Sequence, residues 1–170
     1  MKQQRFTSAT TSINDRLPAV VKLMDRAGVS WSGRRVLDYG CGQYPVHVVR
    51  AAMDRGAAAV VSYDKYHHVN MTTGDGTGAA DLVILSNVLN VIDSPDVRAD
   101  VVRDCVDRMD GTGTLYVTVY EGDGTGHGKQ TGPDAWQENR KTADYIEEIR
   151  AAVPGADVVR HGKLIIIQRA

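Results

Sequence analysis

The chain has 170 residues, 42% of them hydrophobic and 24% charged, with a formal net charge of -1. That length provides one domain with a full hydrophobic core and little else, so residues 1–170 are read as a single unit. The near-neutral balance excludes a global field that would favour nucleic acid or an anionic membrane, although a local basic patch is compatible with it.

The longest apolar runs, such as "LIIIQ", fall well short of the roughly 20 residues that span a bilayer. The opening "MKQQRFTSATTSIND" is polar and lacks the apolar centre of a signal peptide, so cytoplasmic residence is expected. Cys41 and Cys105 are the only cysteines, too few for a disulfide framework or a closed zinc site, and both are expected as reduced thiols.

Residues 1–30 read as a polar arm followed by a helix, with Asn14 or Asp15 as its cap and Gly28 as its stop. "RRVLDYG" is a short buried strand. "PVHVVRAAMDRGA" is a helix, with Pro45 suited to a first helical position and Gly56 ending it. "AAVVSYD" is a second strand, ending at Asp64. "KYHHVNMTTGDGTGAA" shows no clear period. "DLVILSNV" is a third clear strand, and "SPDVRADVVRDCVDRMDG" is a helix capped by Ser94, with Pro95 at its first position and Gly111 beyond its end. "GTLYVTVY" is another strand. A glycine-rich loop over 121–135 follows, then a helix through "WQENRKTADYIEEIRAAV" stopped by Pro154 and Gly155, then two strands around "HGK".

Strands alternating with helices imply an α/β, doubly wound, mainly parallel sheet of about six or seven strands with helices on both faces. The last two strands follow each other through a tight turn and must be antiparallel. Only 16 residues separate Asp64 from Asp81, so the helix-plus-strand unit expected there is shortened or lost.

Ligands of such sheets bind beyond the carboxyl ends of the strands, where "VLDYGCGQYP" stands. Gly40 and Gly42 let the backbone turn sharply and approach a ligand. Asp38 beside them would repel a pyrophosphate, which seeks free amides and a helix N-terminus. It suits an ammonium instead. Asp64, ending the next strand, can accept both hydroxyls of a ribose. A ligand with an ammonium, a ribose and no phosphate is S-adenosyl-L-methionine (SAM).

On these residues the chain resembles the class I SAM-dependent methyltransferases. "VLDYGCGQYP" looks like their acid-x-Gly-x-Gly motif, "VVSYD" their second motif, "DLVILSNVLNVIDSP" the segment after their fourth strand and "GTLYVTVY" their fifth strand. The likeness covers about 33–120 by motif and the rest by topology. It implies SAM as cofactor, held by Asp38, Tyr39, Gly40, Cys41, Gly42, Asp64, Lys65, Ser86 and Asn87. It also makes Asp75, in "GDG", the acid placed near the adenine amine. Tyr44 departs from the pattern, standing where many members have a third small residue. Tyr39 reads as packing beside the loop, and Cys41 as a small buried filler rather than a nucleophile.

The fourth-strand segment carries Ser86 and Asn87 but no Pro-Pro-aromatic, which counts against methylation of a flipped base. "VLNVIDSP" is closer to the segment of small-molecule methyltransferases, with Asn90 at a family histidine position. "NVLNVI" and "VYEGDGTGHGK" also resemble uncharacterised methyltransferase-like proteins of phages and of DNA-modification neighbourhoods. Asn87 either touches the methionine part of SAM or caps the strand end.

The segment Val119 to Lys141 has five glycines and starts at the active edge, so it reads either as a lid closing over substrate or as a solvated loop. Its chemical residues are Tyr120, Glu121, Asp123, His127 and Lys129. His127 can take a proton near neutral pH, and Glu121 can do so if burial raises its pKa. Trp136, Gln137, Asn139, Arg140 and Lys141 are expected to open the next helix. His67 and His68 are adjacent, so they do not point the same way, and no metal is expected. Methyl transfer depends on positioning, so no single catalytic residue is obligatory; Glu121, His127, Tyr120 and Asn90 are the candidates. The expected partner is a small-molecule acceptor. Other SAM-using chemistry that forms methylthioadenosine, or a non-catalytic subunit, are the competing readings, and the oligomeric state is open.

Overall fold

The computed structural model describes residues 4–9 and 15–169. In chain order the elements are α1 (Ala19–Arg26), β1 (Arg35–Tyr39), α2 (Val46–Asp54), β2 (Ala59–Asp64), β3 (Val69–Gly74), β4 (Ala80–Ser86), α3 (Pro95–Asp107), β5 (Met109–Thr118), β6 (Lys129–Gly132), β7 (Ala135–Gln137), α4 (Ile146–Ala152), β8 (Ala156–His161) and β9 (Leu164–Arg169). Short 3-10 turns cover Leu89–Val91 and Thr142–Tyr145.

Seven strands form one sheet in the order β3-β2-β1-β4-β5-β9-β8, and β6 pairs with β7 apart from it. β2, β1, β4 and β5 run parallel, whereas β9 is antiparallel to β5 and β8 antiparallel to β9. Alternate residues of the strands enter two cores. Val36, Val60, Leu82, Ile84 and Tyr116 meet α1 and α2 on one face. Leu37, Val83, Leu85, Leu115, Val117 and Ile165 meet α3 and α4 on the other. This is the doubly wound sheet with an antiparallel closing hairpin that the sequence implies.

The missing middle unit is replaced by β3, which lies antiparallel to β2. Residues 65–68 form the whole connection, and a parallel partner would need a crossover of about a dozen residues or more. Three helix boundaries also differ. α1 begins after Pro18, which disfavours a helical residue before it; Asp15 pairs with His47 instead of capping, and Asn14 lies outside the described residues. α3 takes its cap from Ser94 as expected but stops at Asp107, with Gly111 already inside β5. The segment expected to be helical from Trp136 is first strand β7, then a left-handed Asn139 at φ +49, so helix α4 starts only at Ile146. No helix among the described residues is long and apolar enough to cross a membrane.

Candidate functional site

The four parallel strands bring their carboxyl ends side by side. Asp38 of β1 is the register partner of Ser62 on β2 and of Ile84 on β4, so its side chain ends an apolar row facing α1 and α2. Asp38 is 3% exposed. Its Oδ2 and the Ser62 hydroxyl are buried with no hydrogen-bond partner among the described residues. Burial first, and then the charge of Asp64, push the Asp38 carboxyl up to about 7. Buried polar atoms are normally paired, so the unpartnered Oδ2 marks this strand end as the candidate site. Ser62 was not singled out from the sequence, although a lone hydroxyl in the apolar run "AVVSYD" was the available signal.

Beyond Asp38 the chain turns through Gly40 and Gly42, at φ +72 and +68. The Gly40 and Cys41 N–H groups donate to the Tyr63 carbonyl at 2.7 and 3.2 Å. The Gly42 N–H donates to Asp64 Oδ2 at 3.0 Å, while Tyr66 and His67 N–H groups donate to Oδ1 at 2.9 Å each. Asp64 thus ties the loop after β1 to the turn after β2. A carboxylate has about four acceptor lobes, so a further donor can still reach it. A Cβ on Gly40 would lie 2.4 Å from Val88 Cγ2; Val88 seats the loop from the β4 side, and any other residue would unseat it.

The other expected cofactor residues distribute unevenly. Ser86 and Thr118 hydroxyls meet at 3.2 Å across the ends of β4 and β5. Asn87 is exposed and left-handed at φ +57, and its N–H donates to the Thr118 carbonyl at 2.8 Å. Tyr39 points to the opposite face, where its hydroxyl donates to Asp104 at 2.7 Å and its ring tilts against Tyr63; only its backbone belongs to the loop. Cys41 is half-buried, and desolvation followed by the Asp38 and Asp64 charges drives its thiol upward, which disfavours a thiolate nucleophile. Lys65 is exposed, its ammonium over the Tyr66 ring.

Asp75 is the clear correction. Gly74 pairs with Ala59 at the start of β2, so Asp75 stands at the amino end of the sheet. It is about 20 Å, the rise of a six-residue strand, from the Asp64 end. There it accepts bonds from the Thr77 amide and hydroxyl. The antiparallel turn of the chain after Asp64 carries it away, so in this chain it is not beside the loop that would hold an adenine.

The glycine-rich segment is a fastened hairpin. Asn90 is 2% exposed; its amide donates to Gln137 at 3.2 Å, its Oδ1 accepts from the Tyr120 N–H at 3.3 Å, and its carbonyl accepts from the Glu138 N–H at 2.8 Å. Gln137 donates in turn to the Tyr120 carbonyl. Trp136, expected to open a helix, stacks on Phe6 of the N-terminal arm at 5.5 Å and donates to Glu138. Ser8 and Thr7 of that arm bond to Asp134, and Ser8 also to Val91. Asn139, also buried, donates to the His127 carbonyl and accepts from the Gly126 N–H. Gly122 stands so close that a Cβ there would lie 1.8 Å from Asn139 Oδ1. His127 itself is exposed, and Tyr120, just beyond the end of β5, is 62% exposed. Arg140 pairs with Glu148 and lies over the Tyr145 ring. Among the described residues no cluster of His, Cys, Asp and Glu could hold a metal ion.

Glu121 pairs with Lys163, in the turn between β8 and β9, at 2.7 Å and accepts from the Thr142 amide and hydroxyl at 2.8 Å each. Lys163, then Thr142, hold its carboxyl down at about 2. A base working near neutral pH needs the opposite shift, so the conditional role read for Glu121 loses its condition. A carboxyl depressed on folding contributes stability above its ordinary 4.5 and loses it as pH falls toward 2. Glu121→Gln is therefore expected to lower the urea midpoint above pH 5, to flatten its fall between those two pH values, and to converge with wild type near pH 2.

The fold is that of the class I SAM-dependent methyltransferases. The methyltransferase CcbJ from Streptomyces caelestis is similar at TM-score 0.60 and 12% identity, over 98% of this chain and 96% of that one. A 1,6-didemethyltoxoflavin-N1-methyltransferase from Burkholderia thailandensis, solved with 1,6-didemethyltoxoflavin and S-adenosylhomocysteine, gives 0.59 at 15% identity over 88% and 74%. The sugar N-methyltransferase KedS8 from Streptoalloteichus gives 0.57 at 16% over 89% and 87%. No protein-family model matches the chain, and no curated protein does. At these identities the likeness is one of fold.

Proposed function

We propose that the chain is a SAM-dependent methyltransferase acting on a small-molecule acceptor. The observation that carries this reading is the buried Asp38 carboxylate, its Oδ2 without a hydrogen-bond partner among the described residues, beside a glycine turn tied to Asp64. The residues fit the group: Asp38 would take the ammonium, the amides of Gly40 to Gly42 would border the loop, and Asp64 would accept from the ribose. Ser86 and Asn87 would line the inner wall, with Lys65 at the rim. SAM brings an already activated methyl group. The chain's part is to hold the acceptor in line, exclude water and take a proton where the acceptor carries one. The hairpin carrying Tyr120 and Gln137, with the arm at Phe6 to Ser8, forms the wall against which an acceptor would rest. Solved neighbours described as a sugar N-methyltransferase and a 1,6-didemethyltoxoflavin-N1-methyltransferase support the small-molecule class. The likeness of "NVLNVI" to phage and DNA-modification proteins is the support for a phage setting.

Calorimetric titration with SAM tests the reading. Saturable binding by the wild type is expected, and Asp64→Ala should weaken it about 10- to 100-fold, the range for a lost charge-assisted hydrogen bond. No binding by folded wild-type protein would overturn the proposal. Product analysis with acceptors then separates methyl transfer, which leaves S-adenosylhomocysteine, from cleavage that leaves methylthioadenosine.

A further inference from the structure

β3 is an edge strand: among the described residues it pairs with β2 alone. Proteins usually protect such edges with charge, proline or a bulge. The other edge, β8, follows this practice with exposed Asp157, Arg160 and His161. β3, reading Val-Asn-Met-Thr-Thr-Gly, has no charge, no proline and an unbroken register. Asn70, Met71 and Thr72 are exposed at its centre, and Met71 is 40% exposed. The ends of the strand carry opposite character. Exposed Lys65 and His68, with half-buried His67, form the turn before it, and exposed Asp75 follows it.

We propose that β3 pairs with β3 of a second copy of this chain about a two-fold axis at Met71. A two-fold perpendicular to a sheet makes adjacent strands antiparallel and keeps each side chain on its own face, so residues pair only when their numbers have an even sum. With Met71 facing Met71, Asn70 meets Thr72 and Val69 meets Thr73. Each exposed methionine is then covered by its mate. Asp75 of each copy reaches the Lys65–His68 turn of the other, so both ends of the interface set an acid against a base. This complementarity selects a second copy as the occupant, since the same strand supplies both halves. The two seven-stranded sheets become one continuous sheet, and the turns that carry Asp64 lie at its middle.

Sedimentation equilibrium of the full chain without SAM tests this independently of any cofactor. The wild type is expected to dimerise reversibly. Met71→Lys and Met71→Glu each place like charges opposite one another and should weaken the dimer at least ~10-fold. Mixing the two variants sets Lys against Glu and should restore association to within about 3-fold of wild type. Circular dichroism of each variant, expected to match wild type because Met71 is exposed, keeps the test separate from folding. A wild type monomeric up to ~1 mM, corresponding to less than about 4 kcal/mol of association, overturns the proposal. So does a dimer that Met71→Lys leaves intact, or a pair of monomeric variants that do not associate when mixed.

Discussion

Asp38→Asn is expected to stabilise the free protein and to remove its affinity for SAM. The two effects share one cause. A carboxyl whose folded pKa is raised costs stability when ionised. In the unfolded chain Asp38 releases its proton near 3.8, but in the folded protein only near 7. The cost therefore grows as pH rises from about 4 to 7 and stays constant above. At 1.36 kcal/mol per unit it reaches at most about 4 kcal/mol. An amide in the same place has no charge to desolvate but leaves a buried donor unpaired, at about 1–3 kcal/mol. The net gain for Asn at pH 8 should be about 1–3 kcal/mol by urea unfolding, and below pH 4, where the cost of the charge is gone, Asn should be the less stable by about 1–3 kcal/mol. SAM binding should fall at least ~100-fold, as when one member of a buried ion pair is lost. In the wild type, an ammonium bound at Asp38 requires the ionised form, so affinity should drop about tenfold per pH unit below 7. A pH-independent affinity, or an Asn variant that binds normally, would place the ammonium elsewhere.

Arg98→Met should be the most destabilising single change considered. Arg98 is 2% exposed. It grips Glu148 through Nε at 2.6 Å and Nη2 at 3.1 Å, donates to the Ile92 carbonyl at 2.6 Å, and lies 3.6 Å from Glu138. Burial alone would raise the Glu148 carboxyl, yet the Arg98 and Arg140 guanidiniums hold it below the usual range. Methionine fills the space but takes the buried guanidinium from Glu148, which keeps only Arg140, from Glu138, which keeps the Trp136 indole, and from the Ile92 carbonyl. The expected loss is about 3–5 kcal/mol at pH 7, or roughly 10 °C in melting temperature. A carboxyl depressed on folding loses its contribution as pH falls below 4.5, so wild type and variant should converge in acid. The damage is expected to reach the candidate site. Glu138 receives the Trp136 indole N–H, and its own N–H donates to the Asn90 carbonyl, so the hairpin should lose protection from hydrogen exchange before the sheet does. Equal exchange in both proteins would show that Arg98 supports α3 and α4 only.

The alternation of strand and helix, the glycine turn and the two acids at strand ends are local patterns, and each was legible in the sequence. "VLDYGCGQYP" specifies a strand, a carboxylate and a turn within ten neighbouring residues. Its reading therefore needed no long-range information. The shortness of 65–80 was equally plain. Its outcome was not, because a strand's direction depends on how far the chain must travel before it can pair. That geometry made β3 antiparallel and carried Asp75 to the far end of the sheet. The glycine-rich segment misled for a related reason. Its glycines read as freedom, but at Gly122 the missing side chain makes room for Asn139, a residue distant enough in sequence to leave no local signal. Trp136 likewise fits a helix start by its neighbours and a strand by its stacking on Phe6. What the sequence by itself determined is the set of elements and the chemistry at the first strand's end, since both follow from adjacent residues. Only the tertiary structure decided which acids share a site, whether Asp38 has a partner and whether Glu121 can act as a base. Burial and pairing are properties of residues that meet across the fold.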